Sequence, residues 1–506
     1  NGTCSGFSGV QEIWYGANSS WKVAPATSGI SCSNATFGDP IVGTAKNCYY
    51  KAYGGSWMPA STAGSFNTDG FFYSRVQVCA VDSSGVLQDS RDYGLCKKYP
   101  SGNYKPSGAI QKYSDQLRLA AFGYLMDQTA SYNAGGRYGG VLRAPMKYVG
   151  AKTFDVNGID NTPTAGNPVK EWDEATGVFI VNPAGDATHG KSGVITYLNQ
   201  FGRTGPVAGR YKIYDPVGEL HYEALRYLQG LQPSPDAVSN IQPAMYDGFP
   251  VTTTWTDPYG DGRSNTSDYS CLKSNIVVIG DINTHDGNRL PAANTANNIP
   301  DINYWRGIVQ SFEKNSSTTY TDGQGTSRTT GNPNGGNGSV PGNSQTSQIM
   351  GSAYWAHTHD IRGTNWTGTG GVDKQRPGLR VKTFTFDVNE YAAQNDANTR
   401  RYANQLFMAA KYGGFETDPS NLGKAPYNTF GNPFKKQDGT PDNNVWQDPA
   451  RPGEASTYYL QSNARGVLNA FDSIFSRAST AARSIAGGAI QSKNLTQAGD
   501  TIYQGT

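Results

Sequence analysis

Charge is scarce in this chain, and that scarcity sets the first limits. Asp, Glu, Lys and Arg make up 16% of the 506 residues, and 42 basic against 40 acidic side chains leave a net charge of +2. No basic run stands out, so nothing points to nucleic acid as a partner. No apolar stretch approaches the roughly 20 residues that a membrane-spanning helix needs, and no signal peptide is visible. The chain opens on Asn1-Gly2-Thr3-Cys4 in mid-motif, which predicts processing or truncation upstream. Histidine is rare as well: His189, His221, His285, His357 and His359 are dispersed, and no nucleophile–base pair can be assembled from them. Gly-x-Ser-x-Gly, a Walker loop and a dinucleotide fingerprint are missing. Glu171 and Asp173 form a carboxylate pair, but in a polar loop such a pair is ordinarily solvated. The expectation is a protein without catalytic activity.

Cysteine is sparse too, and its six positions (4, 32, 48, 79, 96 and 271) form no C-x-x-C pattern. That dispersion suits disulfides in an oxidising compartment better than zinc. Cys79 and Cys96 flank a short turn-rich loop and are the expected pair, with Cys32 and Cys48 as a second. The partners of Cys4 and Cys271 stay open. What the chain does have is 62 Gly and 31 Tyr with a hydrophobic share of 36%, which permits a core but leaves much loop. Such polar, Tyr-, Gly-, Asn- and Thr-rich chains are usually exported surface proteins. In this composition Asn-x-Ser/Thr matches such as those at Asn34 and Asn365 arise by chance.

Residues 1–56 stand apart as a small disulfide-braced all-β module. Trp14-Tyr15-Gly16-Ala17, Trp21 and Lys46 to Tyr50 alternate aromatics with Gly and Asp-Pro turns. A unit this short buries little and needs bracing. Trp14 and Trp21 are either surface aromatics able to stack on sugars or simply its small core. The pattern resembles a module appended to secreted bacterial carbohydrate-active proteins.

From about residue 70 strand and helix periods alternate, which predicts a mostly parallel sheet covered by helices. The expected strands are Val76–Cys79, Leu119–Leu125, Ile276–Ile279 and Thr383–Val388. Ile276–Ile279 is an unbroken β-branched apolar run that reads as a strand buried on both faces. A helix is expected from Tyr104 to Tyr113, another over 215–228 capped by Asp215, and one at Gln348 to His357. Leu460, Ala464, Val467, Leu468, Phe471, Ile474 and Phe475 fall on the spacing of a last amphipathic helix. Residues 318–347 are Gly, Asn, Ser and Thr with few apolar anchors and read as a mobile loop insertion. Together 57–480 form one domain with insertions, and 481–506 read as a linker to a further domain.

At the carboxyl end of such a sheet ligands and ions collect, and the 276–279 strand delivers Asp281, Asn283 and Asp286 there. Asp438-Gly-Thr-Pro-Asp442 with Asn444 and Asp448 sets oxygens at spacings reminiscent of a calcium loop without the full EF-hand series. Asp257-Pro-Tyr-Gly-Asp-Gly262 with Asp268 is a weaker version. His357, His359 and Asp360 suggest zinc, yet at a helix end cationic or hydrogen-bonding residues are the better account.

In order and spacing the chain resembles one family, the PilC/PilY group of type IV pilus tip proteins. The resemblance runs through Arg75 to Cys79, Tyr99 to Pro106, Gly139 to Arg143, Asp215 to Leu228 and Gly280-Asp281-Ile282-Asn283. It continues through Ala353 to Asp360, Phe384 to Glu390 and Asp438 to Asp442. It implies a von Willebrand factor A-like domain followed by a propeller-like one. It also implies an extracellular pilus-tip adhesin and assembly factor, with minor pilins and a host or abiotic surface, including glycans, as partners. A metal-dependent adhesion site in such a domain would hold Mg²⁺ or Ca²⁺, and Asp281 could supply one carboxylate. Its Asp-x-Ser-x-Ser element is missing; Asp82-Ser83-Ser84-Gly85-Val86 mimics it but ends on Val86 and reads as a polar turn. The alternative reading is a secreted carbohydrate-binding or carbohydrate-active protein, suggested by residues 1–56 alone.

Overall fold

The structure, a computed structural model, describes residues 2–18, 20–52, 79–85, 87, 94–126, 137–154, 160, 166–201, 215–260, 269, 272–282, 286, 289–295, 298–332, 347–364, 366, 371–416, 431–436, 438–479, 488–490 and 502–504. The expected strand before Cys79 and the positions Asn283, His285, Asp268, Cys271 and Asn365 lie outside them. The chain divides into two units, Asn1–Gln77 and Val78–Thr506.

In the first unit Gln11–Ala17 is the middle strand between Ser20–Ala26 and Asn47–Ala52, both antiparallel to it. Side chains alternate across a strand, so Ile13 and Tyr15 face inward with Ala24, while Trp14 shares the other face with Val23 and Tyr49. Trp14 and Trp21 are therefore not the core. A short helix, Asn34–Phe37, starts where Ser33 accepts from the Thr36 amide; the unit is not purely β. Cys32 is joined to Cys48.

The second unit is built on a three-stranded parallel sheet. Val381–Asp387 is central, with Ser274–Gly280 on one side and Tyr458–Leu460 on the other. Phe384 and Phe386 project to one face and pack on Ala470, Phe471 and Ile474 of the Ala464–Ser479 helix. Thr383 and Thr385 are buried on the opposite face, where the Thr385 hydroxyl donates to the Leu406 carbonyl. On that side lie helices Val217–Leu228, Ile302–Glu313, Gln348–Thr358 and Gln405–Gly413. Gln348–Thr358 is buried along its whole length, its polar Gln348, Ser352, His357 and Thr358 included. Small residues let its neighbours close in: a Cβ on Gly351 would meet the Ile302 carbonyl at 2.6 Å, and one on Gly413 would meet Ala353 Cβ at 2.6 Å.

Several expectations are corrected. Among the described residues Ser274–Gly280 is an edge strand, and Ile279 is half exposed; β-branched content alone does not tell a central strand from one covered mainly on its Val278 side. Leu119–Gly123 is outside the parallel sheet and pairs antiparallel with Val141–Lys147, because it has a core of its own with Val149, Trp172, Val194 and Phe249. Tyr104–Pro106 is a strand and the helix begins at Ala109. Leu460 ends a strand, and the last helix starts at Ala464. The presumed mobile insertion starts as a hairpin, Thr319–Thr321 with Ser327–Thr329, anchored by buried Tyr320; residues 333–346 are not described. In the presumed linker, Gly488–Ile490 pairs with Ile502–Gln504. Cys79 is joined to Cys96, and between them Asp82 accepts from the Ser84 amide at 2.9 Å, a polar turn. No helix among the described residues is long and apolar enough to cross a membrane.

Candidate functional site at the carboxyl end of the parallel sheet

The two longer parallel strands end on Gly280 and Asp387, which are register partners, and the Val388 amide donates to the Gly280 carbonyl at 2.9 Å. Asp387 is fully buried. It accepts from the Asn389 amide at 2.8 Å, from Asn404 Nδ2 at 2.7 Å and from Tyr458 Oη at 2.7 Å. Asn404 also donates to Gln394 at 2.9 Å. A buried carboxylate costs several kcal/mol unless its lone pairs are met, and here three donors meet them. Burial, then the Asp387 charge, pushes the Tyr458 phenol well above its ordinary range. Asp387 lies in the family-like stretch Phe384 to Glu390, but nothing in the sequence period marks it as the hub.

Across the edge, Asp286 is buried and accepts from the Gly218 amide at 2.7 Å. It thus caps the Val217–Leu228 helix, whose N-cap position is Pro216 with no side-chain cap. The expected cap, Asp215, is replaced by a carboxylate 68 residues beyond Gly218, favourable because amides and positive dipole face it. Glu219, buried one residue along, accepts from the Gly139 amide at 2.8 Å and pairs with Arg289 at 3.1 Å. Asp281 lies in the same region. Burial first, and then the charges of Asp215, Asp286, Glu219 and Asp281, push the Tyr124 phenol well above 10. The end of the sheet is thus rich in acids, but among the described residues no three of these carboxylates bring oxygens within 4.8 Å of one another.

The loop at Asp438–Asp448 uses its oxygens locally. Asp438 accepts from the Thr440 amide, Asp442 from the Asn444 amide and Asp448 from the Ala450 amide, each at 2.8–2.9 Å. Asp442 lies 3.7 Å from Lys436 and Asp448 2.8 Å from Arg451. The Asn444 side chain accepts from Gln447. The weaker loop is a structural clamp: Asp257 takes a two-pronged contact from fully buried Arg362 at 2.8 and 2.9 Å. Despite burial, Arg362 and Lys374 hold its carboxyl well below the usual range.

His221 and His357 are core groups, and His359 is half-buried beside them at the helix end. His357 meets the Phe415 carbonyl at 2.6 Å, and His359 lies 3.2 Å from the Trp355 carbonyl. Burial, with nearby Lys382 and Arg380, lowers them to about 4 and about 3, so they are hydrogen-bonding rather than cationic helix-end residues. His221 bridges Ser352 at 3.0 Å and Thr383 at 3.1 Å, all buried. Glu171 is not solvated either: it is buried and accepts from the amides of Val194 and Ile195, capping the Val194–Gln200 helix.

Residues 122–353, which carry Glu219, Asp281 and Asp286, match the family model described as "PilY1 homolog, second domain". A curated relative from Xylella fastidiosa, "Type IV pilus biogenesis factor PilY1 homolog", is 30% identical over 437 residues, covering 81% of this chain and 32% of that protein. The chain thus spans about a third of the length of the relative it matches. Both similarities support the PilY1 family. No solved structure matches the chain significantly.

Proposed function

We propose that this protein is a pilus-tip adhesin and assembly factor of the type IV pilus, without catalytic activity. Its second unit would act as a von Willebrand factor A-like frame presenting loops at the carboxyl end of the sheet. It would work outside the cell, with minor pilins and a host or abiotic surface as partners, and contribute to twitching motility. The carrying observation is the 30% identity over 437 residues to a relative named for type IV pilus biogenesis. The satisfied carboxylates Asp387, Asp286 and Glu219 suit a rigid frame better than a reacting centre. The test is expression in a bacterium whose own PilY1-type gene is deleted, counting surface pili and attached cells. Both should rise; no change in either overturns the reading.

A second reading, carbohydrate binding by the first unit, is favoured by one observation. Tyr49 is 57% exposed and meets Trp21 edge-on at 5.7 Å, on the face that carries Trp14. Stacking on sugars would be lost in Tyr49→Ala. Glycan cleavage abolished by one carboxylate substitution would instead establish an enzyme.

A further inference from the structure

Three sulfur atoms of the first unit lie together. Cys4 is buried and, among the described residues, is not disulfide-bonded. Its Sγ lies within 4.8 Å of the sulfurs of both Cys32 and Cys48, which are bonded to each other. Strand pairing explains the meeting. Gly2–Cys4 runs antiparallel to Ile30–Cys32, with Cys4 opposite Ile30 and Gly2 opposite Cys32. Residues two apart on a strand project to one face, so Cys4 and Cys32 share a face of this ladder. Cys48 arrives on Asn47–Ala52, opposite Tyr15. All three border one apolar cluster with Ile13, Tyr15 and Phe37.

We propose that Cys4 is an internal nucleophile toward the Cys32–Cys48 disulfide, so that the first unit has two covalent forms. The Cys4 thiolate attacks Cys32 Sγ; the Cys4–Cys32 bond forms and the Cys32–Cys48 bond breaks. Cys48 leaves as a thiolate and takes up a proton, replacing the one Cys4 released. One disulfide and one thiol are present before and after, so no oxidant or reductant is consumed. The exchange moves a tether. In one form Ile30–Cys32 is covalently tied to Asn47–Ala52, a strand of the three-stranded sheet; in the other it is tied to Gly2–Cys4, and Asn47–Ala52 keeps only its hydrogen bonds to Gln11–Ala17. Burial pushes the Cys4 thiol up, which keeps thiolate scarce near neutral pH and makes the exchange accelerate as pH rises. The same burial shields Cys4 from oxidants in solution while leaving the disulfide within its reach.

The test is peptide mapping of the full, non-reduced chain after incubation at pH 7 and pH 9 without added thiol, acid quenching and alkylation. The expected result is a Cys4–Cys32 linked peptide with alkylated Cys48, increasing several-fold at pH 9 and independent of protein concentration. Among Cys4, Cys32 and Cys48, alkylation confined to Cys4 at both pH values, with Cys32–Cys48 intact, overturns the proposal. So does Cys4 already bonded to another cysteine, or a Cys48 label that grows with protein concentration. In Cys4→Ser the Cys48 label should vanish, and its persistence also overturns the assignment. The wild-type map decides the matter even if that variant folds poorly.

Discussion

In the Asn1–Gln77 unit the buried cluster among the described residues consists of Cys4, Ile13, Tyr15, Ala24, Ala26 and Phe37, with a disulfide beside it. In Val78–Thr506 one cluster runs from Val217 to Tyr458 and encloses charged groups as well as apolar ones. The clearest is Lys411, whose Nζ sits 2.5 Å from Glu313 and 4.2 Å from the centre of the Trp446 ring, with Tyr412 donating to the same carboxylate at 2.8 Å. The difference is one of scale. A small unit exposes too much of its chain to be held by burial alone and needs a covalent brace. A large one buries enough to enclose polar groups, provided each finds a partner.

Breaking the comparison begins in the larger core. Val278→Asp places an unpaired charge against the Val217–Leu228 helix side of the sheet, where Val278 is 5% exposed. It should cost at least about 4 kcal/mol and abolish cooperative unfolding of the second unit; an unchanged melting temperature would refute the buried assignment. Lys411→Met strands Glu313 and should cost about 3–5 kcal/mol, whereas Lys411→Met with Glu313→Leu should be neutral or stabilising by about 1–4 kcal/mol. Urea midpoints of the two variants read this directly. Equal losses would mean that packing, not charge pairing, holds the site.

The first unit should answer to its brace. Cys32→Ser with Cys48→Ser opens a loop of 16 residues and should cost about 3 kcal/mol. Hydrogen exchange should quicken in peptides from 11–26 and stay unchanged in those from 381–387. Uniform change in both would show that the units are not separately stabilised.

Acid should act on the larger unit through its histidines. Burial holds His221 and His357 at about 4 and His359 at about 3, below the ordinary 6.5. The unfolded chain therefore binds more protons between these values, so the stability is present above about pH 6.5 and lost as pH falls toward 4. Each titrating histidine contributes up to about 1.4 kcal/mol per pH unit. His221→Gln should flatten the dependence of the urea midpoint between pH 7 and 5. A midpoint independent of pH over that range would count against neutral burial.

How much of this was legible follows from the range of the interactions. Local period and composition marked the Val217–Leu228 and Gln348–Thr358 helices and the Val381–Asp387 strand, and loop spacing marked both disulfides. Register was not legible: the apolar run at Leu119 could not announce that its partner is Val141–Lys147 rather than the parallel sheet. Nor could the Asp215-Pro216 start reveal that Asp286 would cap that helix, since the contact depends on the whole fold. At the candidate site Asp281 and Asp286 were legible as residues after a strand, whereas Asp387, Asn404 and Tyr458 meet from three separate elements.

The smallest expected effect concerns a cation at Asp438–Asp448, which we propose as an occupied state of that loop. Each aspartate now has one oxygen on a nearby amide, while Lys436 and Arg451 face the second oxygens of Asp442 and Asp448. Ca²⁺ or Mg²⁺ would have to displace those cations and draw the three carboxylates and Asn444 together. Both steps weaken binding, which places Ca²⁺ affinity in the range of extracellular modules, about 0.1–1 mM. Calorimetric titration should show such binding, tighter in Arg451→Gln because one competing cation is gone, and absent in Asp442→Ala. Asp281→Ala separates the two candidate positions: it should leave the titration unchanged if the ion sits at the 438–448 loop. If Asp281→Ala removes the heat and Asp442→Ala does not, the ion belongs to the carboxyl end of the sheet. No heat in the unaltered protein would remove the ion while leaving the pilus reading, which rests on other observations, intact.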